Sequence, residues 1–216
     1  MHTLDYGAAF TFFLKDKNWF KKFLVASLLT YTLVGSIPVL GWTVEIARRA
    51  WAAEPPDLPA WTNFRSKWGT GYRYWLVNLV WLLPVLLALL MADLPLFLVN
   101  SLGPERLLVI WFAVLGCALA FITIYGAAVI FLLPAALGRL AAGGTLGQAL
   151  NPLNAWKRAR LHPGPHLIVF LIVGLGLTTV ISILAPLTLF LLLPPMLVYA
   201  GMMLAYYAGQ LQRLEG

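Results

Sequence analysis

The 216-residue chain is 61% hydrophobic and only 11% charged, with mean hydropathy +0.84 and a formal net charge of +7. Soluble domains carry about 25% charged residues, so a soluble globular fold is excluded and one all-α membrane domain over 1–216 is expected, with about 4–6 segments at roughly 20 residues per span. The basic residues lie beside apolar runs and tryptophans, which points to anionic lipid headgroups as partner and away from nucleic acid.

In chain order, residues 3–22 place Leu4, Ala8, Phe12, Phe13 and Phe20 at helical spacing, with Lys15, Asp16 and Lys17 on other faces. That pattern predicts a helix lying in the membrane interface. Asp5 and Asp16 spoil a basic n-region, so no secretory signal is expected and the first apolar segment should remain. Phe23 to Ile37 is apolar for about 22 Å of helix, short of a hydrocarbon core about 30 Å thick. Gly35-Ser36-Ile37-Pro38 then interrupts it, and Val39 to Ala47 leads to Arg48-Arg49. Lys21 and Lys22 precede this block and two arginines follow it, so a hairpin turning at 35–41 keeps both basic flanks on one side.

After the proline-rich elbow 52–59, Trp61, Phe64, Trp68, Tyr72 and Trp75 recur at helical spacing with Arg65, Lys67 and Arg73 between them. This predicts a second interfacial helix, with Trp61, Arg65, Trp68 and Trp75 at headgroup depth. Leu76 to Met91 is the first full crossing. The loop 92–106 carries Asp93, Glu105 and a single basic residue, Arg106, which places it outside. Leu107 to Leu137 returns. Leu146, Ala149, Leu150, Leu153 and Trp156 form a third amphipathic stripe, and Trp156, Lys157 and Arg158 are assigned to the cytoplasmic interface. Residues 166–211, broken by Pro186 and Pro194-Pro195, read as a second proline-broken hairpin. Both termini are then cytoplasmic and the cell's inner (cytoplasmic) membrane is the expected location. Residues 4–51 and 145–211 share this layout and suggest an internal repeat.

Asp16-Lys17-Asn18-Trp19, Pro38-Val39-Leu40-Gly41-Trp42 and Leu58-Pro59-Ala60-Trp61 together resemble the DUF4013 family of uncharacterised bacterial and archaeal integral membrane proteins. The resemblance covers most of the chain and implies a multi-helix membrane fold, with no activity attached. One departure is that Thr62 and Asn63 stand where the family usually has an acidic residue.

Ionisable and polar groups inside a membrane are costly, which makes Glu45 and Asn78 the candidate intramembrane polar residues. Glu45 either binds a cation or proton, or pairs with an arginine one turn away. Asn78 serves as an interhelical hydrogen-bonding group or, less simply, a substrate ligand. His162 and His166 have four-residue spacing, but Pro163-Gly164-Pro165 lies between them, so no metal site is expected. Gly143-Gly144-Thr145 lacks the Lys-Ser or Lys-Thr of a phosphate loop. Cys117 is the only cysteine and reads as a small packing group. Gly201, Ala205 and Gly209 form a small-residue ridge suited to close helix packing, within this chain or against another subunit. Catalytic residues, metals and cofactors are not expected. The function expected is that of a non-enzymatic accessory or assembly subunit, or scaffold, of a larger membrane complex; the alternative is a small-solute or ion transporter or channel.

Overall fold

The computed structural model describes residues 4–55, 57–93 and 104–215. These residues are helical and contain no strand. In order they form α1 (Ala8–Thr11), followed by a 3-10 turn (Phe12–Lys15), then α2 (Trp19–Thr30), α3 (Leu33–Trp51), α4 (Phe64–Asp93), α5 (Pro104–Ala141), α6 (Leu146–Leu150), α7 (Pro152–Ala159), α8 (Pro163–Leu187) and α9 (Leu193–Glu215). Three of them, over Phe64–Ala92, Leu108–Ala141 and Pro163–Leu187, are long and apolar enough to cross a membrane. Most of the loop assigned to the outside, 94–103, lies beyond the described residues.

Residues 1–77 and 131–216 form one compact unit, and 78–130 a second. In the first, α2 and α3 make a helical hairpin, but its turn falls at Tyr31–Thr32 rather than within 35–41. Thr32 is extended, and its hydroxyl accepts from the Gly35 N–H at 2.9 Å, capping α3. A capped start lets the helix run through Pro38, whose lost backbone bond is offset by burial of the ring. A second hairpin joins α8 to α9 through Thr188–Leu192, with Leu189 and Phe190 at positive φ. Here the prolines do bracket the turn. Pro186 sits in the last turn of α8, and Pro194 and Pro195 occupy the first turn of α9, where a missing N–H does no harm. Within α8, residues Phe170–Leu177 widen into π-helical turns. The Tyr31 hydroxyl donates to the Leu191 carbonyl, so the two hairpin tips meet. Their apolar side chains point outward, with Leu33 91% and Leu189 82% exposed.

Close backbone approach holds the hairpins together. α9 packs most extensively on α3, and a Cβ on Gly209 would overlap the Ala47 carbonyl oxygen. Gly201 faces the Thr43 methyl, and Ala205 between them is fully buried. The small-residue ridge is therefore spent within the chain. On another side of α3, Gly41 meets the Lys67 carbonyl and Gly71 meets the Ile37 carbonyl, so α3 and the start of α4 cross with no room for side chains.

The three interfacial helices expected from the sequence take other forms. The described part of that stretch, 4–22, breaks into α1, the 3-10 turn and the start of α2, because Ala9, Phe12 and Phe13 have protein rather than lipid to cover them. Phe12 stacks on Tyr206 of α9 at 4.4 Å. The Trp61–Trp75 stretch and the first crossing are one helix from Phe64 onward. The third stripe splits at Asn151, whose extended backbone and side chain cap α7.

In the second unit the Tyr125 hydroxyl donates to the Trp81 carbonyl at 3.0 Å, tying 78–93 to 104–130. Leu82, Leu86, Leu90, Phe112 and Ile124 remain exposed.

Gly41→Ala and Gly71→Ala should each lower stability by about 1–3 kcal/mol through overpacking. Gly69→Ala on the same helix points into open space and should be neutral or gain up to about 1 kcal/mol. Thermal unfolding in detergent micelles checks this; equal midpoints for all three would mean the helices do not cross at Gly41 and Gly71.

Candidate functional site

The three sequence pieces that carry the family resemblance converge at the end of the first unit away from the hairpin tips. Asp16 Oδ2 accepts from Lys22 Nζ at 2.6 Å and from the Leu58 N–H at 3.0 Å, while Oδ1 accepts from the Asn18 N–H at 2.7 Å. Lys22 Nζ also donates to the Leu58 carbonyl at 2.6 Å. Trp42, fully buried on α3, donates through Nε1 to the Pro59 carbonyl at 2.8 Å. Its ring stacks on Trp61 with centroids 5.4 Å apart, and Trp61 Nε1 donates to the Lys22 carbonyl at 3.0 Å. Burial pushes the Asp16 carboxyl up, but the Lys22 ammonium and the two backbone N–H groups outweigh it and hold the pKa below the ordinary carboxylate value.

Beside this clamp lies a polar recess of about 110 Å³ lined by Gly41, Glu45, Arg48, Asn63, Lys67 and Thr70, among others. Lys67, only 5% exposed, donates to Glu45 Oε2 at 2.7 Å and to the Thr62 carbonyl at 3.1 Å. Glu45 also meets Arg49 at 3.8 Å, the pairing one helical turn away that its position suggests. Arg49 reaches on to Glu54 and to the Asp57 carbonyl. Arg48 Nε donates to the carbonyl of Ala141, the last residue of α5, which suits a cation at a helix C-terminus. An ammonium with a third donor, a carboxylate and hydroxyl groups around a space of a few water molecules can hold water or a small polar ligand.

A family model described as a protein of unknown function, DUF4013, matches residues 24–207. The chain belongs to the DUF4013 family. No curated protein and no solved structure matches it. The DUF4013 match takes in Trp42, the elbow Leu58-Pro59-Ala60-Trp61 and the recess, while Asp16 and Lys22 precede it.

Among the other residues singled out from the sequence, Asn78 is half-buried at the start of the second unit. Arg65 is exposed and Trp68 half-buried on α4, and Trp75 stacks on Tyr72 at 5.9 Å. Trp61, assigned to headgroup depth, forms the outer ring of the clamp. Trp156 is exposed with the Arg160 guanidinium 5.2 Å over its ring. Lys157 and Arg158 line a separate basic cavity with Arg139. His166 is fully buried with Phe131 at 5.8 Å, and His162 sits at the N-cap of α8, so the two do not share a helix face. Sequence reasoning missed Lys67 as the main partner of Glu45, and gave Asp16 and Trp42 no role. A run of basic residues on α4 hid the one that turns inward; only its i+4 glycine, Gly71, marks the buried face.

Asp16→Asn should destabilise the chain by about 1–3 kcal/mol, since it removes the charge from a buried acceptor of three hydrogen bonds and leaves the half-buried Lys22 ammonium with only the Leu58 carbonyl. Because the folded pKa is depressed, the clamp's contribution is present above the ordinary carboxylate pKa and is lost as pH falls through the lower folded value. Melting temperatures of the wild type should therefore drop on acidification below about pH 4, and Asp16→Asn should flatten that drop; parallel curves would remove Asp16 from the clamp.

Proposed function

We propose that this DUF4013 protein is a non-enzymatic accessory or assembly subunit, or scaffold, of a larger membrane complex, inserted in the cytoplasmic membrane with both termini on the cytoplasmic side. The observation that carries the reading is how the apolar helices spend their polar groups. Thr123 Oγ1 bonds the Leu119 carbonyl, Ser182 Oγ the Thr178 carbonyl, and the Thr178 hydroxyl the Gly174 carbonyl, each on its own helix. Tyr125 is tied to Trp81. What these helices present outward is leucine, valine, isoleucine and phenylalanine, a surface for lipid or neighbouring helices rather than a path for a polar solute. The orientation draws on the basic residues at the base of both hairpins, Lys21, Lys22, Arg48 and Arg49 on one and Lys157, Arg158 and Arg213 on the other, and on α9 running back beside α8.

A second reading, a small-solute or ion transporter, is favoured by the Glu45–Lys67 recess, where opposite charges face one small cavity. Gentle extraction of the tagged full chain, sizing of the particle and mass spectrometry of co-purifying proteins separate the two. A stoichiometric assembly with other membrane subunits is the expected result. A lone monomer or homo-oligomer would overturn the subunit reading and turn attention to flux measurements on Glu45→Gln.

A further inference from the structure

We infer that the cavity between the end of α5 and α7 binds the phosphate of an anionic lipid headgroup. This goes beyond the subunit reading and rests only on insertion in a membrane.

The cavity has a volume of about 300 Å³ and is lined by Arg139, Gln148, Asn154, Lys157 and Arg158, three cations and two amides with no carboxylate among them. Each wall is set by local structure. The chain leaves α5 through Gly143 at φ +82° and Gly144, where a Cβ would press on Cγ and Nε of Arg139. The turn therefore wraps around the arginine stem. Thr145 and Gln148 then form a capping box that starts α6, and Gln148 Oε1 accepts from Arg139 Nε at 2.9 Å. That bond fixes the guanidinium plane and leaves its two terminal nitrogens without a bond to any described residue. From the other wall, Arg158 Nη1 donates to Gln212 Oε1 of α9 at 2.6 Å, anchoring α7. The Lys157 ammonium and the Asn154 amide make no hydrogen bond or ion pair to a described residue. Like charges lining one cavity repel, so an anion placed there relieves that repulsion and gains charge-assisted hydrogen bonds from Arg139 and Lys157.

Position selects the source of the phosphate. Arg139 lies in the last turn of α5, at the end of a stretch long and apolar enough to cross a membrane, and the proposal sets the cavity at headgroup depth on that side. Along the same stretch of chain, Leu153 is 67%, Trp156 44% and Leu161 65% exposed. A Trp beside basic groups is the usual interfacial arrangement, and exposed leucines on and after the helix that carries Lys157 offer acyl chains an apolar surface to cover.

The test is titration of the detergent-solubilised full chain with short-chain phosphatidylglycerol, phosphatidylcholine and inorganic phosphate, read by thermophoresis. Saturable binding of phosphatidylglycerol is expected, at least tenfold tighter than phosphatidylcholine and weakening with salt. Lys157→Gln, which removes no bond to the protein, should reduce that affinity several-fold, as should Arg139→Gln. Arg160→Gln, which sits over Trp156 outside the cavity, should stay within twofold of wild type. Equal binding of the two lipids, or an unchanged affinity in Lys157→Gln, would overturn the assignment. Displacement of the lipid by inorganic phosphate at equal concentration would overturn the lipid source and leave a free phosphate ion as the ligand. Because the titration uses the isolated chain, its outcome is independent of whether partner subunits exist.

Discussion

The carboxylate of Asp16 accepts three hydrogen bonds, from Lys22 Nζ and from the backbone N–H groups of Asn18 and Leu58, and so joins the base of α2 to the elbow that leads into α4. That elbow, rich in proline, has few backbone donors with which to hold itself in place. Its register comes from outside: the Leu58 N–H and carbonyl are taken by Asp16 and Lys22, and the Pro59 carbonyl by Trp42. Once the elbow is set, Trp61 closes over Trp42 and α4 starts where Lys67 reaches Glu45 and Gly71 meets α3. A buried ion pair contributes little net stability by itself, because desolvation offsets its attraction. Its use here is specificity, since any other register of the elbow strands a lysine or a carboxylate out of water.

Much of the architecture was legible in the sequence because membrane segments announce themselves by length and hydropathy. The two hairpins follow from apolar runs with basic residues on both flanks. The prolines were a less reliable guide. Pro186 and Pro194 do bracket a turn, whereas Pro38 is absorbed in a helix already capped by Thr32. A threonine cap is a weak local signal, and Tyr31–Thr32 has neither glycine nor proline to mark it as a turn. The amphipathic stripes were legible as stripes but not as to what covers them: Phe12 and Phe13 face α9, while Leu153 and Trp156 stay uncovered. Periodicity reports that a face is apolar and is silent about whether protein or lipid lies against it.

The candidate site was the least legible part. Glu45 was visible as a charge in an apolar block, and its arginine partner followed from spacing, but Lys67 comes from beyond the elbow and carries no local mark that distinguishes it from Arg65 or Arg73. The three motif pieces could be read one by one, and their convergence depends on the α3–α4 crossing at Gly41 and Gly71, two glycines among 18. Close helix approach of this kind replaces the hydrophobic drive that lipid removes.

The first unit is built from both ends of the chain, 1–77 and 131–216, with the second unit between them in sequence. α3 depends on α9 to cover the surface around Ala47 and Ala50, where Gly209 allows the two backbones to touch. During synthesis at roughly 5–20 residues per second, the α2–α3 hairpin therefore waits on the order of ten seconds before its partner helix leaves the ribosome. Over that interval the face around Ala47 and Ala50 must be occupied by lipid, by the insertion machinery or by a chaperone, and the nascent chain is at its most vulnerable to quality-control proteolysis.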